Sequence, residues 1–319
     1  MSRSARTPLD RVKSLFESER GHSVERYLSP HTHPGGNIGR TTLQKLRVLL
    51  NFVIRRLSLG TGRHQALQAL RLHRGAGREQ EILVIGSGPS ANSLQAREVK
   101  KRQKAGELLV VATNYFLNSP LARTITPDYL VWADDVFDPG TPSSSSDEWA
   151  RAQAADDVTL VVPWTWKDSI DTSLWANRIL FFDNDSLEGW SKNISPIRPR
   201  GYQGSTGVKA LAFALHLMPR IVLLIGLDLS YYKSFVVDHE NRVLRQPAHI
   251  AGADSGVQDI SHHSVHGLAD ALYSTSSQFL ALQTHFAGHP IINLDPQSLV
   301  DAFPKVTSHP LTKSDKSLS

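Results

Sequence analysis

The sequence predicts an α/β fold, a Rossmann-like and mostly parallel sheet with helices on both faces. Three observations predict it. Seven short runs rich in β-branched residues and leucine lack polar alternation, which marks strands buried on both faces. Helical or loop segments separate them, as the crossovers of a parallel sheet require. Several runs end in glycine, asparagine or aspartate, at the edge where ligands of open α/β sheets collect.

Taken in order, residues 1–39 are polar, with Gly and Pro gathered in His31-Thr32-His33-Pro34-Gly35-Gly36, and read as a loosely ordered arm with a short helix around Leu15. Thr41 or Thr42 caps a helix running to about Leu59. In it Leu43, Leu46, Leu50, Val53, Ile54 and Leu57 recur at helical spacing, while Lys45, Arg47, Arg55 and Arg56 supply cations. Two readings stand open: a helix docked on the body, or a basic amphipathic helix resting on an anionic membrane.

From Glu81 the pattern becomes strand-rich. Strands are predicted at Ile82–Gly86, Leu108–Asn114, Tyr129–Asp134, Val158–Val162, Ile179–Asp183, Ile221–Asp228 and Ile291–Leu294. Helices are expected at Ser90–Lys104, Gly207–Leu217 and Gly267–Phe286. Ser143–Ser146 and Lys233–Val257 read as loops, the second long enough to suggest a lid. The expected domains are a basic arm at 1–80, a nucleotide-binding domain at 81–303 and a polar tail at 304–319.

The chain has 319 residues and no cysteine, so disulfides, cysteine zinc sites and thiol nucleophiles are excluded. Its net charge of +5 is uneven: 15 Lys/Arg stand against 5 Asp/Glu up to Gln80, and 20 against 25 thereafter. Basicity belongs to the arm, and the mildly acidic body argues against nucleic acid as partner. No apolar run approaches the roughly 18–20 residues of a membrane span, and the Met1 end lacks a secretory signal. A cytoplasmic protein, peripheral on the inner membrane through its arm, is the expectation; a homo-oligomer is compatible with it.

The chemistry-bearing residues sit at strand ends. Gly86-Ser87-Gly88-Pro89-Ser90 follows a strand and opens a predicted helix; glycines allow close backbone approach, and a helix N-terminus offers free N–H groups to a phosphate. Asn114 and Asp134 end the next two strands. Asp134, Asp135 and Asp138 offer a competing divalent-cation reading. Gly204-Ser205-Thr206-Gly207 is a second glycine- and hydroxyl-bearing turn before a helix, and Asp228 closes a further strand ahead of Ser230, Tyr231 and Tyr232. Tyrosine hydroxyls can donate to a departing phosphate. Last comes Ser261-His262-His263-Ser264-Val265-His266, where an imidazole can take a proton from an acceptor. The i, i+4 pair His262 and His266 also fits a metal site, without the adjacent glutamate of His-Glu-x-x-His.

The order of these landmarks, with Pro296-Gln297-Ser298-Leu299-Val300-Asp301-Ala302-Phe303 at the end, resembles that of bacterial sialyltransferases of glycosyltransferase family 42 over about Glu81–Phe303. The resemblance implies a modified GT-A domain with a mobile lid at 230–258. It implies metal-independent, inverting transfer of sialic acid from a CMP donor to a galactoside of lipooligosaccharide, with no cofactor besides that donor. Mapped residue by residue, it makes His266 the general base; the family's tyrosine falls on Ser230, with Tyr231 one position later, so Tyr231 or Tyr232 is the expected contact of the leaving phosphate. Gly86, Ser87, Gly88, Ser90, Asn114, Asp134, Ser205, Thr206, Gly207, Asp228 and His263 would hold the donor. Where the family carries an arginine ahead of the second turn, this chain has Gln203, which widens the donor to other CMP-activated acidic sugars such as another nonulosonic acid or Kdo. The half-sites also resemble MptE-like proteins, which implies a Mg²⁺-dependent pterin diphosphokinase as the alternative; a non-catalytic nucleotide-binding partner in envelope assembly is a separate reading from another class.

Overall fold

The computed structural model of the chain describes residues 62–313 except 143, 188–189, 203, 230–232, 246–257 and 260–267, together with 46, 49–50, 52–54 and 56–57. Its centre is a seven-stranded, all-parallel sheet in the order β10-β6-β1-β2-β3-β4-β5, an α/β Rossmann-like architecture. The strands are β1 (Glu81–Ile85), β2 (Leu108–Thr113), β3 (Tyr129–Val131), β4 (Thr159–Pro163), β5 (Ile179–Phe182), β6 (Ile221–Ile225) and β10 (Ile291–Asn293). All seven predicted strands are present, most of them ending earlier than their apolar runs. From β1 the chain steps outward to β5, returns to place β6 on the other side of β1, and then adds β10. The switch in direction therefore falls between β1 and β6, and it opens a crevice at their carboxyl ends.

Period-two alternation feeds two cores. Leu83, Ile85, Val110, Ala112, Leu160 and Val162 face one layer, and Ile82, Val84, Val111, Val161, Val222 and Leu224 face the other. On the first face lie Val99 of α3 (Ala96–Lys104) and Ala152 of α4 (Ser146–Ala154), with an aromatic group in which Trp132 stacks on Phe137 at 4.7 Å and meets Trp149 edge-on at 5.1 Å. On the second face α5 (Thr206–His216) lays down Val208, Leu211, Ala212 and Phe213, beside Leu282 and Phe286 of the π-helical turn that follows α6 (Leu268–Ala281). Helix α4 escapes sequence reading because Ser-Asp-Glu-Trp-Ala-Arg-Ala-Gln-Ala has little apolar period, and its place is set by Trp149 and Ala152 entering the core.

Four expectations need correction. The predicted helix Ser90–Lys104 is two elements: a 3₁₀ turn at Pro89–Ser93, then α3, with an extended Leu94 and a non-helical Gln95 between them. Gln95 N donates to Leu311 O at 2.8 Å, and Lys313 N to Ser93 O at 2.8 Å, so pairing with the chain end replaces helical bonds at that point. The polar tail consequently begins later than 304, since Leu311 is fully buried and Thr312 nearly so. At the other boundary, the short helices α1 (Arg63–Ala66) and α2 (Gln68–Leu72) belong to the body: Ala66, Leu67 and Leu70 are buried, and His216 Nε2 lies 3.0 Å from Leu70 O. The expected lid loop holds β7 (Phe235–Val237), β8 (Val243–Arg245) and β9 (Gln258–Asp259), a small antiparallel sheet. Asp238 organises its hairpin turn by accepting from the Arg242 and Glu240 amides, each at 2.9 Å.

The described part of the N-terminal segment docks on the body through charge. Asp183, fully buried just after β5, accepts from Arg56 Nη2 at 2.9 Å and from Arg63, while Arg56 Nε meets Asp185 at 2.9 Å. These arginines are about one-fifth exposed, so screening reduces what the pairs contribute. Asp183→Asn is expected to cost about 1–3 kcal/mol, because it takes the counter-charge from the largely buried Arg63 and leaves Arg56 with Asp185 alone. Urea denaturation read alongside limited proteolysis before residue 62 would show it; no change in either would mean the pairs do not hold the segment.

Candidate functional site

The carboxyl ends of β1, β2, β3 and β6 and the start of α5 meet at one edge. Gly86 N donates to Ile225 O and Gly88 N to Gly226 O, both at 2.8 Å, so the β1 turn is stitched to the β6 turn. The two backbones touch: a Cβ on Gly86 would lie 2.2 Å from Gly226 O, and Gly226 itself takes a φ of +74°. Only glycine satisfies both demands.

Ser90 and Asp228 complete the join. Ser90 N donates to Asp228 Oδ2 at 3.0 Å, Ser90 Oγ donates to Asp228 Oδ1, and Gly226 N donates to Ser90 Oγ at 3.0 Å. The helix-start amide expected to receive a phosphate is thus occupied by a carboxylate of the same chain. Burial pushes the Asp228 carboxyl up, against the pull of Ser90's donors, and Asp295 adds to the rise. Ser90 and Asp228 act as a clamp between the two turns in this arrangement.

Groups without a partner lie elsewhere on the edge. Asn114 has φ +51°, held there by Trp132 Nε1 donating to its carbonyl at 3.0 Å, and its buried side-chain Oδ1 has no hydrogen-bond partner. A non-glycine residue in this region with an unmet buried polar atom is the kind of strain that gathers at ligand sites. Beside it, Ser87 Oγ lies 3.3 Å from Thr113 Oγ1. At the start of α5, Thr206 Oγ1 donates to Asp134 Oδ1 at 3.0 Å, tying α5 to the end of β3, and the buried Ser205 Oγ is also unpartnered.

Lys209, in the first turn of α5, was not singled out from the sequence. It has no ion pair among the described residues, and burial together with the neighbouring Arg200 lowers its pKa from 10.5 to about 8, against the opposing pull of Asp134 and Asp135. The residue is partly exposed. The signal was available: one lysine within Val208-Lys209-Ala210-Leu211-Ala212-Phe213-Ala214-Leu215. Arg200 does not offer itself in the same way, since its Nη1 and Nη2 donate to Asp183 O and Asn184 O at 2.9 and 3.0 Å.

The structure therefore gathers Gly86, Ser87, Gly88, Ser90, Asn114, Asp134, Ser205, Thr206, Gly207 and Asp228 at one edge. Tyr231, Tyr232, His263 and His266, with Gln203 and Ser230, lie outside the described residues. Asp138 turns its carboxylate onto Gly140 N at 2.9 Å, and no group of three or more histidines and acids able to hold a metal ion occurs among the described residues. No described helix is long and apolar enough to cross a membrane.

No protein-family model matches the chain, and no curated protein does. Among solved structures, it is similar to the MAf glycosyltransferase from Magnetospirillum magneticum AMB-1, with 14% identity and a TM-score of 0.30 over 61% of this chain and 32% of that one. The present chain spans about a third of that protein's length, and a likeness this loose informs neither function nor site.

Proposed function

We propose that this chain is an inverting, metal-independent glycosyltransferase that moves sialic acid, or a related acidic sugar, from its CMP donor to a hydroxyl of a cell-surface glycan. The observation that carries the reading is the set of unmet groups at the carboxyl edge of the sheet: Asn114 Oδ1 at the end of β2, with Ser205 Oγ and the unpaired Lys209 at the start of α5, on the same edge as a turn built for close backbone approach. These suit a ligand with both a polar base and an anionic centre. The order of sequence motifs supplies the rest of the reading.

In this scheme Lys209, Ser205 and the first-turn amides of α5 hold the anionic part of the donor, with Thr206 positioned by Asp134. Asn114 and Ser87 meet the nucleoside. Asp228 and Ser90 keep the two turns together. On the acceptor side His266 takes the hydroxyl proton as the oxygen attacks the anomeric carbon, and the bond to CMP breaks. Tyr231 or Tyr232 donates to the departing phosphate, which needs less charge neutralisation than a diphosphate.

His266→Ala should lower transfer by about 10²–10⁴-fold with the protein still folded, the usual span for removal of a general base. CMP release from CMP-sialic acid and CMP-Kdo, with a glycolipid acceptor, reads it out directly. Undiminished release would dismiss His266 as base. Stabilisation by ATP with Mg²⁺ alone, and by no CMP compound, would replace transfer with the diphosphokinase reading.

A further inference from the structure

We infer that the N-terminal helical segment is a docking element for an anionic lipid surface, and that it sits on the carboxyl edge of the sheet. Leu46, Leu50, Val53 and Leu57 follow one another at i, i+4, i+7 and i+11, a single face of a helix. They are 53%, 44%, 41% and 80% exposed, while Phe52, Ile54 and Arg56 of the same segment are only partly so. An apolar stripe has thus been left in solvent on a segment whose Arg56 is already spent on Asp183 and Asp185.

Charge decides what covers it. From Arg26 to Arg78 the sequence holds ten lysines and arginines and no aspartate or glutamate. A second copy of this chain would bring the same cations against these, whereas an anionic bilayer offers the opposite sign together with an apolar layer for four aliphatic side chains. Nucleic acid matches the charge but has no use for the leucine stripe. Because Asp183 and Asp185 follow the carboxyl end of β5, and all seven strands are parallel, the segment is anchored at the edge that also carries Asn114, Asp134 and Asp228. Lipid docking would bring that edge to the bilayer.

Flotation of the full chain with phosphatidylcholine vesicles, with and without phosphatidylglycerol, tests this. The chain is expected to float with the anionic vesicles and to be released by salt. The triple variant L50Q/V53Q/L57Q, altered only at exposed positions, should bind them on the order of 100-fold more weakly. An unchanged thermal midpoint confirms that its body is intact. Failure to bind anionic vesicles, equal binding by the variant, retention on nucleic acid but not on vesicles, or a dimer that the variant dissolves would each overturn the inference. None of these readouts depends on transferase activity.

Discussion

Lys209→Met is expected to strip the protein of most of its affinity for an anionic donor while making the empty protein more stable at neutral pH. The ammonium is held down from 10.5 to about 8, first by burial and then by Arg200. Below pH 8 the lysine is charged in both the folded and the unfolded chain, and the folded form carries the full penalty. Between about 8 and 10.5 the folded chain gives up its proton while the unfolded chain keeps it. The unfolded state then binds more protons, so stability from this group rises with pH across that window. Methionine removes the penalty and should add about 1–3 kcal/mol near pH 7, less than the full shift implies because the residue keeps some solvent access.

A bound anion reverses the balance by supplying the missing counter-charge. Loss of one charge-assisted contact costs about 10–100-fold in Kd. In the unaltered protein, affinity for CMP should fall as pH rises through 8, and in Lys209→Met that fall should vanish. Calorimetric titration with CMP on both sides of pH 8, paired with urea denaturation, measures both effects. Equal affinities and identical pH profiles in the two proteins would remove Lys209 from the site.

Gly226→Ala should destabilise the fold by about 3 kcal/mol or more. The added methyl would sit 2.5 Å from Gly86 O at a φ of +74°, and backbone, not a movable side chain, is what it meets. Since β1 and β6 are central strands, neither can retreat without parting the sheet. Gly106→Ala is the control: its φ of +71° imposes the same strain, but nothing lies within 4 Å, so about 1 kcal/mol is expected. If the two variants unfold at the same denaturant concentration, the close approach of the turns is not a rigid requirement.

The strands could be read from the sequence because parallel strands buried on both faces are written as unbroken apolar runs. Ile82–Ile85 and Val222–Ile225 have no other plausible place in water. Their ends were less legible, since burial continues past the last ladder bond: Trp132 and Leu227 are buried beyond β3 and β6. The break at Leu94 and the packing of Leu311 were invisible for a shared reason, namely that each depends on a partner more than two hundred residues away. Helix α4 is largely polar, and β7 (Phe-Val-Val), β8 (Val-Leu-Arg) and β9 (Gln-Asp) are too short to show a period, so neither gave a periodic signal.

At the site the sequence by itself determined which strand ends carry Gly86, Asn114, Asp134 and Asp228, because the alternation of strands and crossovers sends every strand's carboxyl end to one edge. Only the tertiary structure decided how those residues are spent. Asp228 closes onto Ser90 and fills the seat first assigned to a phosphate, whereas Asn114, Ser205 and Lys209 are left unmet. The physical reason is that hydrogen bonds and charge pairs across a crevice are made between strands distant in sequence. Residue order fixes what reaches the edge, and only folding settles which polar groups satisfy one another and which wait for a ligand.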